Sequence, residues 1–204
     1  MYILIPCKSF DTGKSRLSES LDSFARREVC RELFIRTLNH ATAVVAPAQI
    51  RIVTSDPDAI AIACRYSIAH IPDRGRGLNA ALEDARDVLL AEIKPDSAVQ
   101  ILPIDLPFAS PDATSQILSC YGDAVLAPDE IGTGTNVLLL RQPALRRFRF
   151  AFGPGSYAAH VAGARVRGLR IETLRDRRLA SDIDGPLQYA AWRSREERKH
   201  AATQ

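Results

Sequence analysis

Short apolar runs alternate with longer amphipathic segments along almost the whole chain, and this limits the fold more than any other feature. Residues 2–6 form a compact, β-rich run closed by Pro6, as expected of a buried strand. In residues 21–45, Leu21, Phe24, Val29, Leu33 and Leu38 recur near helical spacing, with arginine and glutamate between them. The same patterns predict strands at 50–54, 67–71, 98–104, 124–127, 137–140 and 170–174. They predict helices at 57–66, 78–93 and 156–166. Ser110-Pro111 is a cap-and-proline helix start, and Gly185 precedes a last helix. Such a chain is expected to form three α/β/α layers around a mostly parallel, Rossmann-like sheet. Ligands of these sheets bind beyond the carboxyl ends of the strands, so the segments after each strand are where chemistry is expected.

Size and charge narrow the choice. With 204 residues, 46% of them hydrophobic, the chain has material for one substantial core. Residues 1–192 read as one domain, and residues 193–204 as a charged, flexible tail. A net charge of +3 and only 6% aromatics argue against a nucleic-acid partner, which needs a basic stripe interleaved with aromatics. A small anionic substrate needs only a local cationic cluster. Cys7, Cys30, Cys64 and Cys120 form no C-x-x-C pair and match no zinc spacing, so reduced, mostly buried thiols are expected. Neither a secretory signal nor an apolar run of the roughly 18 residues needed to span a bilayer is visible. A cytoplasmic protein without a membrane partner is the expectation.

Four groups of residues point to phosphate and metal chemistry. Lys8, Lys14 and Arg16 follow the first strand and surround Gly13, which suits a phosphate cradle. Gly13-Lys14-Ser15 matches the end of a P-loop, but Lys8 stands where its first glycine belongs, so that assignment fails. Gly75-Arg76-Gly77-Leu78-Asn79 follows the third strand. Its glycines permit close backbone approach, and Asn79 has the donor and acceptor to read a purine edge, although a tight turn explains the glycines equally. Asp105 leaves the apolar run ILPIDL, where a carboxylate is costly without a cation or strong hydrogen bonds. Asp182 and Asp184 are spaced to project together from an extended segment, as magnesium ligands would; capping of the next helix accounts for only one of them. Gly132-Thr133-Gly134-Thr135-Asn136 and Gly153-Pro154-Gly155-Ser156 offer a second anion site, the latter through N–H groups at a helix start, with ordinary turns as the alternative. The Arg175–178 run is either a phosphate contact or a solvated surface. His40, His70, His160 and His200 are scattered and are expected to be structural or surface residues.

Taken in order, these motifs resemble the CofC/FbiD family. They are Pro6-x-Lys8, Lys14-Ser15-Arg16-Leu17, Gly77-Leu78-Asn79, Leu102-Pro103-x-Asp105-Leu106-Pro107, Gly132-Thr133-Gly134-Thr135-Asn136, Phe152-Gly153-Pro154-Gly155-Ser156 and Asp182-Ile183-Asp184. The resemblance runs from Ile3 to about Tyr189. Cys7 departs from the apolar residue usual between the proline and lysine. The resemblance implies a nucleotidyltransferase fold and transfer of GMP from GTP to the phosphate of a small phosphorylated three-carbon acid in coenzyme F420 biosynthesis. The acid would be 2-phospho-L-lactate, phosphoenolpyruvate or 3-phospho-D-glycerate. It also implies Mg2+ on Asp105, Asp182 and Asp184, and acid contacts at Thr135, Gly153 and Ser156. Asn136 belongs with those acid contacts by its place in the loop. Pro6, Lys14, Arg16, Gly77 and Asn79 fall to the nucleotide, with Lys8, Lys14 and Arg16 in catalysis. A homodimer is compatible with the sequence. A different acceptor, such as a molybdopterin or sugar phosphate, and a non-catalytic nucleotide-binding protein are the alternatives; the three carboxylates argue against the latter.

Overall fold

The computed structural model describes residues 1–201, without the side chains of residues 199 and 200. Its strands are β1 (Tyr2–Pro6), β2 (Ile50–Val53), β3 (Ala69–Ile71), β4 (Val99–Ile101), β5 (Ala124–Pro128), β6 (Thr135–Leu140) and β7 (Ile171–Thr173). Its helices are α1 (Ser23–Thr42), α2 (Pro57–Arg65), α3 (Leu78–Glu92), α4 (Pro111–Gln116), α5 (Ala144–Arg147), α6 (Ser156–Val166), α7 (Arg177–Ala180) and α8 (Pro186–Ala201). One seven-stranded sheet has the order β3-β2-β1-β4-β6-β5-β7. Every neighbouring pair is parallel except the two made by β6, which runs against both β4 and β5. The expected mostly parallel sheet is present, with one reversed strand beside its centre.

Strand β1 shows why both faces are covered. Ile3 and Ile5 enter a core with Phe34 and Leu38 of α1 and Ile62 of α2. Leu4 enters the opposite core, with Leu82 and Leu89 of α3 and Phe148. Successive strand residues face opposite ways, so a run that is apolar throughout requires helices on both sides.

Local chemistry moves several boundaries. Asp22 accepts a hydrogen bond from the Ala25 N–H and caps α1, which therefore starts at Ser23. Ser67 is left-handed (φ 57), and the N–H groups of Ser67 and Ile68 close α2 on Cys64 and Ala63, both at 3.0 Å. That closure delays β3 to Ala69. Strand β4 is shorter than the expected 98–104. Leu102 still donates to the Leu4 carbonyl (2.9 Å), but Pro103 has no N–H to give, and the chain leaves the sheet there. Asp105 consequently sits in a turn beyond the strand rather than at its end.

The charge run after residue 192 is helical through Ala201. Trp192 is fully buried with Leu17, Val29, Leu33 and Ile183. Arg193 lies 4.4 Å over the Trp192 ring and bonds Glu32, and Arg36 reaches Glu196 at 3.3 Å. An anchored tryptophan orders the charged turns that follow it. Residues 202–204 of the expected tail, and the side chain of His200, lie outside the described residues. Among the described residues, no helix is long and apolar enough to cross a membrane.

Candidate active site

Because β6 is reversed, its first residues lie at the same sheet edge as the last residues of the parallel strands. Thr135 and Asn136 thus meet Pro6, which closes β1, and Asp105. Two adjoining cavities open along this edge. The larger, about 600 Å3, is lined by Lys8, Lys14, Arg16, Gly75 and Gly77. The smaller, about 350 Å3, is lined by Thr135, Asn136, Gly153, Ser156 and Asp182. Pro6, Arg16, Asp105 and Asp184 line both, so carboxylates and a cation mark the seam between them.

The seam is tied together through Lys14 and Ile183. Lys14 Nζ donates to Asp105 Oδ2 (3.2 Å) and to the Ile183 carbonyl (2.6 Å). The Ile183 N–H donates to the Asp105 carbonyl (2.9 Å), while its side chain plugs the pocket over Trp192. Burying that side chain contributes roughly 2 kcal/mol. This is comparable with the roughly 1–2 kcal/mol of backbone entropy lost by one fixed residue. The plug and the two backbone bonds together therefore hold the segment, and Asp182 and Asp184, on either side of Ile183, both line the smaller cavity.

Negative charge accumulates at this seam. Burial first, then the charges of Asp105 and Asp184, push the Asp182 carboxyl up to about 6. Arg16 Nη1 lies 2.6 Å from Asp184 Oδ2, but both side chains are exposed. Such pairs are worth only about 0–1 kcal/mol, so an arriving phosphate competes readily for Arg16. Among the described residues, no three acidic, histidine or cysteine side chains are gathered as a finished metal cage. Asp105 and Asp184 instead lean on Lys14 and Arg16.

The smaller cavity sets the hydroxyl residues Thr135 and Ser156 beside Asn136, Gly153 and the carboxylates of the seam. Asp129 organises its rim, accepting from the N–H groups of Thr133 and Gly134 at 2.8 Å; a Cβ on Gly134 would come within 2.7 Å of that carboxylate. The Thr135 N–H donates to Ser156 Oγ (2.8 Å). Gly153 (φ 135) and Gly155 (φ 71) give the turn into α6 a backbone form that side chains disfavour. Two of the N–H groups expected to be free at that helix start are engaged within the protein. Ser156 N–H is committed to the Gly153 carbonyl and Tyr157 N–H to the Thr133 carbonyl, both at 3.1 Å.

Two asparagines are engaged within the protein. Asn79 is not turned towards a purine: its amide donates to the Phe152 carbonyl (3.0 Å) and accepts from the Phe152 N–H (2.7 Å). It clasps the start of α3 to the loop before α6. Asn136 Nδ2 donates to the carbonyls of Leu179 (3.0 Å) and Ala180 (2.9 Å), and so fixes the segment leading to Asp182. Within the arginine run, Arg178 is held by Asp176 at 2.6 Å and is structural.

His160 and Asp129 are residues that sequence reasoning left without a role in the site. Asp129 carries a visible signal, an acidic residue just before a Gly-Thr-Gly turn. His160 carries none, since its partners come from β6 and from the loop before α6. Burial lowers the pKa of both His160 and His40 to about 4. Unfolded histidine titrates near 6.5, so stability is complete above that value and falls as pH drops from about 6.5 to about 4. The expected slope is about 1.4 kcal/mol per pH unit for each histidine. Urea unfolding across that range, repeated with His40→Gln, checks it, and a flat profile would contradict neutral burial.

A family model described as guanylyl transferase CofC like matches residues 1–189. A phosphoenolpyruvate guanylyltransferase of Rubrobacter xylanophilus is 33% identical over 193 residues, spanning 93% of this chain and 92% of the relative. A 2-phospho-L-lactate guanylyltransferase of Methanothermobacter thermautotrophicus is 30% identical over 184 residues, spanning 89% of this chain and 78% of the relative. Among solved structures, CMP:2-keto-3-deoxy-manno-octonic acid synthetase complexed with CTP superposes with a TM-score of 0.65 at 12% identity, covering 97% and 98% of the two chains. A nucleotidyl transferase from Methanothermobacter does so with 0.62 at 14%, covering 97% and 99%. These structural likenesses establish the nucleotidyltransferase fold.

Proposed function

The chain belongs to the CofC-like guanylyl transferase family, and from that premise we propose that it transfers GMP from GTP to a small phosphorylated acid. The observation that carries this reading is the pair of cavities meeting at Asp105, Asp184 and Arg16. The larger, with its cationic loop, takes the nucleoside triphosphate. The smaller, with its hydroxyls, takes the acid. Phosphoenolpyruvate is the first acceptor to try, because it appears in the names of several relatives at 33% identity or above. 2-Phospho-L-lactate and 3-phospho-D-glycerate follow. We extend the proposal to coenzyme F420 biosynthesis, the pathway of the family that the motifs resemble.

An oxygen of the acceptor phosphate attacks the α-phosphorus of GTP, a new P–O bond forms, and the bond to the β-phosphate breaks to release pyrophosphate. The attacking oxygen is already ionised at neutral pH, so no general base is needed. The barrier is electrostatic, because two anions meet and charge grows on the leaving group. Lys8, Lys14 and Arg16 offset that charge from the larger cavity. Asp105, Asp182 and Asp184 suit Mg2+: they are hard oxygen donors beside the two cavities, and a cation would offset the burial and the neighbouring charges that raise the Asp182 carboxyl. When bound, the metal supplies positive charge to the phosphate oxygens. Lys14 and Arg16 are then free to turn from the carboxylates to the triphosphate.

The direct test incubates the protein with GTP and Mg2+ and with each of the three acids in turn, and follows pyrophosphate. Release with one acid and not with GTP alone is expected; silence with all three would sink the acceptor class. Ser156→Ala is expected to raise the acceptor KM about tenfold while moving the GTP KM little, as for one lost hydrogen bond. Equal changes in both constants would contradict the division into two cavities.

A further inference from the structure

His160 lies behind the smaller cavity, on α6, and is 1% exposed. Its ring stands between two aromatic side chains, with centroids 5.2 Å from Phe148 and 4.9 Å from Phe152. Nε2 is 2.9 Å from the backbone nitrogen of Ala151, which carries a hydrogen to donate. Nε2 is therefore the bare nitrogen of the ring. In a neutral imidazole the proton must then sit on Nδ1, and Nδ1 is 3.0 Å from Thr135 Oγ1. The direction of that bond is fixed: His160 donates and Thr135 accepts.

This has a consequence one shell further in. A threonine hydroxyl has one proton to give, and a lone pair of Thr135 Oγ1 is occupied by His160. Ser156 Oγ likewise accepts, from the Thr135 N–H. Both residues line the smaller cavity, and both hydroxyl oxygens already take part in a bond within the protein. We infer that His160 is a positioning residue for acceptor binding: by donating to Thr135 Oγ1 it leaves the Thr135 hydroxyl proton to be donated to an anionic oxygen in the smaller cavity. The inference rests on the proposed function, since it needs an anion in that cavity. A ring with the opposite tautomer would leave Thr135 donating backwards and present a lone pair to the anion, which is repulsive. Burial keeps the ring neutral at working pH and so keeps the direction constant.

Side chains that mimic one ring nitrogen at a time separate this role from simple packing. His160→Asn retains an amide nitrogen near the Nδ1 position and restores a donor to Thr135. His160→Gln reaches towards the Nε2 position and leaves Thr135 without its donor. With phosphoenolpyruvate as acceptor, His160→Gln is expected to raise the acceptor KM about tenfold. The GTP KM should stay within about twofold, and His160→Asn should recover most of the loss. In a Thr135→Val background, His160→Gln should add nothing further, because the group it acts through is gone. An unchanged acceptor KM in His160→Gln, equal losses in both His160 variants, or additivity with Thr135→Val would each overturn the inference. Nitrogen-15 NMR of the histidine-labelled wild-type protein decides it without any variant having to fold: a proton on Nδ1 supports it, and a proton on Nε2 overturns it alone. Absence of turnover by wild type with all three acids would instead bring down the proposed function and this inference together.

Discussion

Asp182→Asn is expected to lower pyrophosphate release by about a thousandfold, the scale of losing a ligand to the proposed catalytic metal ion. The same substitution should leave the melting temperature unchanged or higher. The two effects have one origin. The folded protein raises the Asp182 carboxyl to about 6, above its unfolded value near 3.9, through burial and the neighbouring Asp105 and Asp184. A raised carboxyl contributes stability only when protonated, and that contribution is lost as pH climbs from about 4 to about 6. At neutral pH the ionised form is therefore a cost to folding, and asparagine removes it. Steady-state kinetics alongside thermal unfolding at neutral pH tests both halves. Near-normal turnover would remove Asp182 from the proposed metal site, and a clear fall in melting temperature would mean that it stabilises the segment.

Lys14→Ala is expected to lower turnover about a hundredfold and to loosen the segment around Ile183. Lys14 Nζ bonds both Asp105 and the Ile183 carbonyl, so one side chain joins the loop after β1 to the two arms that carry the carboxylates. Its side chain is 10% exposed, whereas Arg16 and Asp184 stand mostly in solvent. Arg16→Ala should therefore affect turnover without comparable loosening. Amide hydrogen exchange over residues 181–185 reads the difference, with faster exchange in Lys14→Ala only. Unchanged exchange with lost activity would confine Lys14 to phosphate binding, and retained activity would exclude it from the site.

Much of this architecture is legible in the chain because it depends on local patterning. The run from Tyr2 to Pro6 specifies a buried strand, since every residue in it is apolar, and Asp56 and Ser110 cap helices by bonds only two or three residues long. The three carboxylates and the two glycine-containing loops stand out for a similar reason: charge after an apolar strand and paired glycines are unusual where nothing binds.

Other features are set by residues distant along the chain. Asn79 has the right chemistry for a purine, yet the backbone of Phe152 occupies both of its amide atoms. Trp192 anchors residues that composition alone would leave loose, because its pocket comes from α1, Leu17 and Ile183. The reversal of β6 moves Thr135 to the reacting edge, and His160 gains its direction from Ala151 and Thr135. The layers, the strand–helix order and the residue types suited to phosphate chemistry can be read along the chain, because periodicity and side-chain chemistry are local. Which polar groups remain free to meet a substrate depends on the folded arrangement, because each hydrogen-bonding group has few bonds to give and distant backbone can claim them first.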